Sequence, residues 1–500
     1  MMSKDLFAAV LTGDRASTTE LLAAGTDPNT RMTALWHSVI EMVSEHPEYA
    51  PYLLKREHHD PNPLVIWTWT PLLLACAQNH WEIAGDLLDA GAEADFCDEK
   101  SQTPLLFAIR GAQPDLVYRL LAGGADPNTS NEEGDTLLMT AAMMDNRPRS
   151  LHTMPLQLAA KMRGPSDPEL WPSYTEILKA LIAQGADVNA ATQDGDTALI
   201  FAASLGWTEG VRLLLEAGAN LLCEGKLTGT PLMACLPKYP ETARFLIERG
   251  ANIHAVSHLG GSVLSRVIGY RPEEARHITR RTAAPPDEGK PAFRLPSPRD
   301  FMAISNAPRP SEDLTPLNLL LDAGADPNER CEHEFSTPLI TAAIQGATES
   351  IRCLIQRGAD IDGRDSKGRT ALMMAAWNGH PEAVQALLEC GADYTLVSDK
   401  GNTALMSASL PGRMEQMLTK LKSMPPPQPD PEMEARLQQI QEMKKKLGEK
   451  GDKIPDVEQM RQFPTDFREG LRASLENSAA KQDSNREKVI KILKGAGATV

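Results

Sequence analysis

Two short clusters carry side chains able to hold a metal ion. His58-His59-Asp60 offers two imidazoles and a carboxylate, and Cys331-Glu332-His333 offers a thiolate, a carboxylate and an imidazole. Both fall inside a recurring segment whose ordinary residues they replace, so a structural role accounts for them better than a metal centre. The seven cysteines, Cys76, Cys97, Cys223, Cys235, Cys331, Cys353 and Cys390, are odd in number, widely spaced and lack a C-x-x-C pair. A disulfide framework or a zinc site would be spaced differently. A reducing compartment is expected, with no metal and no cofactor. The phosphate loop G-x-x-x-x-G-K-[ST], the zinc helix H-E-x-x-H and the nucleophile elbow G-x-S-x-G have no counterpart here. No enzyme is expected of the regular part of the chain. An active centre, if the chain had one, would have to sit in its irregular segments.

The elements around these residues repeat. Thr70-Pro-Leu-Leu-Leu-Ala-Cys leads to Leu87-Leu-Asp-Ala-Gly91-Ala, and Thr103-Pro-Leu-Leu-Phe-Ala-Ile leads to Leu120-Leu-Ala-Gly-Gly124-Ala-Asp-Pro-Asn. Further starts stand at Thr136, Thr197, Thr230, Ser262, Thr337, Thr370 and Thr403. The steps from 70 to 103, 103 to 136, 197 to 230, 337 to 370 and 370 to 403 are all equal, which is the mark of a repeat architecture. Thr caps a helix by accepting from the free N–H groups of its first turn. Pro at the next position loses no hydrogen bond there. A run such as Val211-Arg-Leu-Leu-Leu-Glu-Ala makes a second helix, and Gly218 can close it in the left-handed conformation. The Asp-x-x-Gly that follows predicts a turn at the tip of an extended finger.

These residues closely resemble the ankyrin repeat: the Thr-Pro-Leu start, the Ala-Ala pair, the Gly379-His380 break, the Leu-Leu run and the Gly-Ala-Asp ending. The resemblance covers about two thirds of the chain. It implies an all-α repeat solenoid of helix–turn–helix units with β-hairpin fingers. About eleven copies are expected, including an N-terminal one at 3–30 and a degenerate one at 31–69. In the latter, Thr33-Ala-Leu-Trp stands for the first helix and His59-Asp-Pro-Asn62 for the ending.

Three copies are too long. The array of 1–410 carries insertions at about 145–172 and 271–312. A Pro-rich spacer and helical hairpin fill 411–485, and 486–500 complete the last repeat. In this register each insertion falls between the two helices of a repeat, on the edge opposite the fingers. That edge is a second surface able to bind. Thr153-Met-Pro-Leu competes with Thr136 as a first-helix start.

The net charge of −16 disfavours nucleic acid and anionic membrane as partners. Residues 1–13 lack the form of a secretory leader, and no run of eighteen apolar residues spans a bilayer. A cytoplasmic monomer is expected, with 432–477 the segment through which it could dimerise. The resemblance implies a scaffold that binds a protein partner through fingertips and first helices. By register the binding residues are Glu132, Glu133, Met143, Met144, Asp194, Leu205, Ile344, Gln345, Lys367, Arg369, Trp377 and Asn378, with Trp377 as the anchor. The alternatives are an effector, an immunity-type inhibitor, or an enzyme centred in the insertions.

Overall fold

The computed structural model of the protein describes residues 2–35, 66–98, 101–131, 133–143, 171–226, 228–257, 261–268, 312–330, 336–409 and 483–498. They fall into two compact units, Met1–Arg266 and Val267–Val500. The first unit holds six helix pairs: α1 (Met2–Thr12) with α2 (Arg15–Ala23), α3 (Pro71–Ala77) with α4 (Trp81–Asp89), α5 (Pro104–Arg110) with α6 (Pro114–Ala122), α7 (Leu137–Ala142) with α8 (Trp171–Ala183), α9 (Ala198–Ser204) with α10 (Thr208–Glu216), and α11 (Pro231–Cys235) with α12 (Pro240–Glu248). Helix α13 (Val263–Val267) lies at its boundary. The second unit holds α14 (Thr315–Asp322), α15 (Pro338–Gln345) with α16 (Thr348–Gln356), α17 (Ala371–Asn378) with α18 (Pro381–Glu389), α19 (Ala404–Ser409), and α20 over 483–495.

The repeat chemistry explains each element. At all nine Thr or Ser starts from Thr70 to Thr403, the side-chain hydroxyl accepts from the N–H three residues on, at 3.1–3.4 Å. Second helices end on glycines such as Gly91, Gly218 and Gly391, with φ of +88°, +92° and +97°. A Cβ at these three would meet nothing, so the backbone angle, not crowding, demands glycine. Ala141, Ala142, Ala202, Ala203, Ala342, Ala343, Ala375 and Ala376 are all 0% exposed. Their methyls set how near neighbouring first helices can come.

Stacking is regular within each unit. In the first, α1, α3, α5, α7, α9 and α11 pack in succession as one row, and α2, α4, α6, α8, α10 and α12 as the other. In the second, α15, α17 and α19 form the first-helix row, and α16 packs on α18. One side chain ties junctions together. Asn189 donates from Nδ2 to the Gly218 carbonyl at 3.1 Å and accepts at Oδ1 from the Asn220 N–H at 2.7 Å. Asn29 does the same to Gly91 and Glu93, Asn128 to Gly185 and Asp187, and Asn328 to Gly358 and Asp360. Asp95 and Asp362, lacking the amide donor, keep the accepting half, from Asp126 and Asp393.

Several expectations change. The first helix expected at Thr33 does not form. Met32–Leu35 is a strand, β1, paired antiparallel with β2, Ile66–Trp69, in the register Met32 to Trp69. Thr33 therefore caps no helix. The physical reason is that α1 and α2 already pack directly on α3 and α4. Arg15 binds Asp86 and Glu82 at 2.6 Å, and the Asn29 bridge reaches Gly91, leaving no slot for another helix pair. Residues 36–65, with His58-His59-Asp60, fall between the two strands in sequence and lie outside the described residues. Four of the fingers are tight turns closed by one isolated bridge, such as Ala191 to Thr197, rather than by a hairpin ladder. Helix α8 begins at Trp171, at the expected end of the first insertion near 172. Thr136 is the working first-helix start, since α7 packs on α8, α5 and α9. The expected hairpin within 411–485 and the Thr153 segment lie outside the described residues. The last helix runs 483–495 and closes on Gly497, where the Ala498 N–H reaches the Leu493 carbonyl at 3.0 Å.

Replacing Asn189 by Ala removes both bridge bonds at one junction. It is expected to cost about 1–2 kcal/mol in denaturant unfolding. Hydrogen exchange at the Asn220 amide should speed up ahead of amides two repeats away; uniform change along the chain would refute a local bridge.

Candidate functional site

In five of the described first helices the residue seven after the capping Thr is part-exposed, whereas Met143 at the same place is buried. In the first unit, Ala77, Arg110 and Ser204 stand there part-exposed; in the second, Ile344 and Trp377 do. Ile344 and Trp377 are one repeat period apart on α15 and α17, which pack side by side, so they occupy matched places on adjacent helices. The Ile344 carbonyl is also 3.0 Å from His380 Nε2, which ties the turn after α17 to the end of α15. Gln345, beside Ile344, is exposed.

Four expected contact residues point elsewhere. Met143 is 7% exposed and Leu205 8%, both buried at the C-terminal caps of α7 and α9. Leu205 stands eight residues after Thr197, the place that Gln345 holds after Thr337, and there the apolar side chain is covered while the polar one is exposed. Asn378, 9% exposed, donates from Nδ2 to the Met374 carbonyl at 2.8 Å and so serves its own helix. Arg369 is committed to Asp365, whose side chain is 1% exposed, at 2.6 Å. Met144 and Glu132 lie outside the described residues.

The fingertips are joined edge to edge. The Gln193 N–H donates to the Glu133 carbonyl at 3.1 Å, Lys226 N–H to Asp194 at 2.8 Å, and Asp399 N–H to Lys367 at 3.1 Å. Within a tip, an oxygen-bearing side chain accepts from the N–H four residues on: Asp98 from Gln102, Asn131 from Asp135, Thr192 from Asp196, Asp365 from Arg369. Such turns hold the tips firmly. Glu133, Asp194 and Lys367 are exposed on them. Lys226 sits 3.6 Å from Asp194, a solvated pair that contributes little to stability. Asp196 is different: it is buried, and the Thr228 hydroxyl donates to it. Burial pushes its carboxyl above the ordinary aspartate value, with the Thr228 bond opposing and the charges of Asp194 and Asp135 adding to the rise. Its residue type and place in the repeat match an exposed tip acid, and only packing shows that it is covered.

The arrangement can present side chains at the tips and along the first helices. Among the described residues no group of three or more His, Cys, Asp or Glu is placed to hold a metal ion, and no helix is long and apolar enough to cross a membrane. Short capped helix pairs stacked in two rows, with linked turns projecting at one end, define a helical-repeat protein. The ankyrin-repeat family model matches residues 72–149, 172–257 and 305–398, just over half of the chain. The chain belongs to the ankyrin-repeat family. It is 33% identical to human ankyrin repeat and SOCS box protein 6 over 37% of this chain and 39% of that protein. It is 24% identical to the E3 ubiquitin-protein ligase KEG of Arabidopsis thaliana over 59% of this chain and 15% of that one. The mouse B-cell lymphoma 3 protein homolog is 28% identical over 30% of each chain. The chain thus spans well under two thirds of the length of these relatives.

The raised Asp196 value has a definite sign. A carboxyl whose native value lies above its unfolded one favours folding most when protonated, and that advantage is lost as pH rises through the native value. Asp196→Asn keeps an acceptor for Thr228 without the charge. It is expected to be more stable than the wild type at pH 7.5, the difference vanishing below the ordinary value of 3.8. Denaturant unfolding at both pH values checks this; a variant less stable at pH 7.5 would disprove it.

Proposed function

We propose that the protein is a non-catalytic scaffold that binds a protein partner across the first-helix stripe and fingertips of its second unit. The observation that carries this reading is the matched pair Ile344 and Trp377, part-exposed on adjacent helices with Gln345 beside them and Lys367 exposed on a tip. An aromatic anchor with an aliphatic neighbour and a polar rim is the pattern in which a few residues carry most of the binding energy. Family membership supports a protein partner in general. In the first unit the matching stripe is Ala77, Arg110 and Ser204, and the tips are acidic at Glu133 and Asp194. That surface would steer and orient a basic region of the same partner more than anchor it. A reducing, cytoplasmic setting suits the free thiols of Cys76, Cys223, Cys235, Cys353 and Cys390, of which Cys76, Cys235 and Cys353 are buried.

The test begins with whatever protein co-purifies with the full chain from its native host. Combined Trp377→Ala and Ile344→Ala should weaken that complex at least tenfold, and Lys367→Glu several-fold with a marked salt dependence. Circular dichroism confirms that the variants stay folded. Undiminished capture by the double variant would rule out this surface.

A further inference from the structure

At one junction the asparagine bridge is missing and a leucine stands in its place. Leu222 follows Asn189 by one repeat period and occupies the same position at the end of the next repeat. The groups an asparagine there would bind are the Gly250 carbonyl and the Asn252 N–H, the counterparts of Gly218 and Asn220. Neither has a hydrogen-bond partner among the described residues. Leu222 itself is 65% exposed, the most exposed large apolar side chain among them. With Leu221, Leu232, Ala251, Asn252 and Val256 it lines a cleft of about 230 Å³. That volume suits one or two side chains and falls below the usual size of a small-molecule pocket.

We propose that this notch docks a segment of a protein partner that presents a glutamine or asparagine side chain next to an aliphatic one. The carboxamide takes the place of the missing internal bridge: its N–H donates to Gly250 and its oxygen accepts from Asn252. The aliphatic neighbour covers Leu222 and fills the cleft. Four junctions of this chain show the same donor and acceptor pair satisfied by a carboxamide, so the chemistry of the occupant is read from the chain's own interior. A carboxylate would repel the Gly250 carbonyl, and a thioether has no N–H to donate to it. The notch uses other residues than the first-helix stripe, so failure of one surface leaves the other standing.

The experiment uses the full chain, labelled for amide NMR, and three capped tripeptides: Leu-Gln-Leu, Leu-Glu-Leu and Leu-Met-Leu. The Gln peptide should move the Asn252 amide saturably, at least tenfold tighter than the other two, because a site with open polar groups rejects analogues that leave them unpaired. Leu222→Asn should fill the notch from within, abolish the response and raise the thermal midpoint. Leu222→Ser should weaken the Gln peptide without raising the midpoint. The proposal falls if the Met peptide binds as well as the Gln peptide, or if Leu222→Asn still responds. It also falls if no peptide moves Asn252 up to about 10 mM, or if the amide moves with protein concentration alone, which would mark a second copy as the occupant.

Discussion

A helical hairpin made of one seven-residue and one nine-residue helix has no interior of its own. Its leucines lie on faces that only a neighbour can cover, so no repeat is stable until another stacks on it. Nearly everything else follows from that dependence. Alanines stand where first helices meet because anything larger would hold the rows apart. Thr caps and left-handed glycines recur because helices this short cannot leave their ends unsatisfied. The asparagine bridge adds two hydrogen bonds across a junction and fixes the position of the next unit, not only its presence.

The same dependence separates the positions that can vary from those that cannot. A residue facing a neighbouring helix is constrained twice, by its own repeat and by the next. The seventh residue after the capping Thr is constrained once where it stays part-exposed, and there the chain carries Ala77, Arg110, Ser204, Ile344 and Trp377. Chain length varies where it leaves stacking undisturbed. Helix α7 packs on α8 although the whole stretch 143–170 separates them in sequence, and β1 pairs with β2 across 36–65. In sequence the first stretch lies between the two helices of a repeat and the second between two paired strands.

Most of the fold was legible in the sequence because its signals are local. A cap, a Pro, an Ala pair and a closing Gly act within a few residues, and their recurrence at one fixed period multiplies a weak signal into a firm one. The misreadings came where a local signal had a non-local owner. Thr33-Ala-Leu imitates a repeat start, but α1 had already taken α3 as its neighbour. Met143 and Leu205 look like surface residues at the end of a helix, yet the turn folds them inward. Arg369 looks like a fingertip cation until Asp365 is seen buried beside it.

What the sequence by itself determined is the unit: its length, its two helices, its caps, its turn and the family to which it belongs. Each depends on contacts within one period, which a chain carries wherever it goes. What the tertiary structure decided is which units are neighbours and which side chains remain outside once they stack. That is why Thr33-Ala-Leu was misread as a helix start, why Asp196 proved to be covered, and why Leu222 proved to interrupt a bridge. Burial and partnership at those places belong to two repeats at once, and no reading of one repeat contains them.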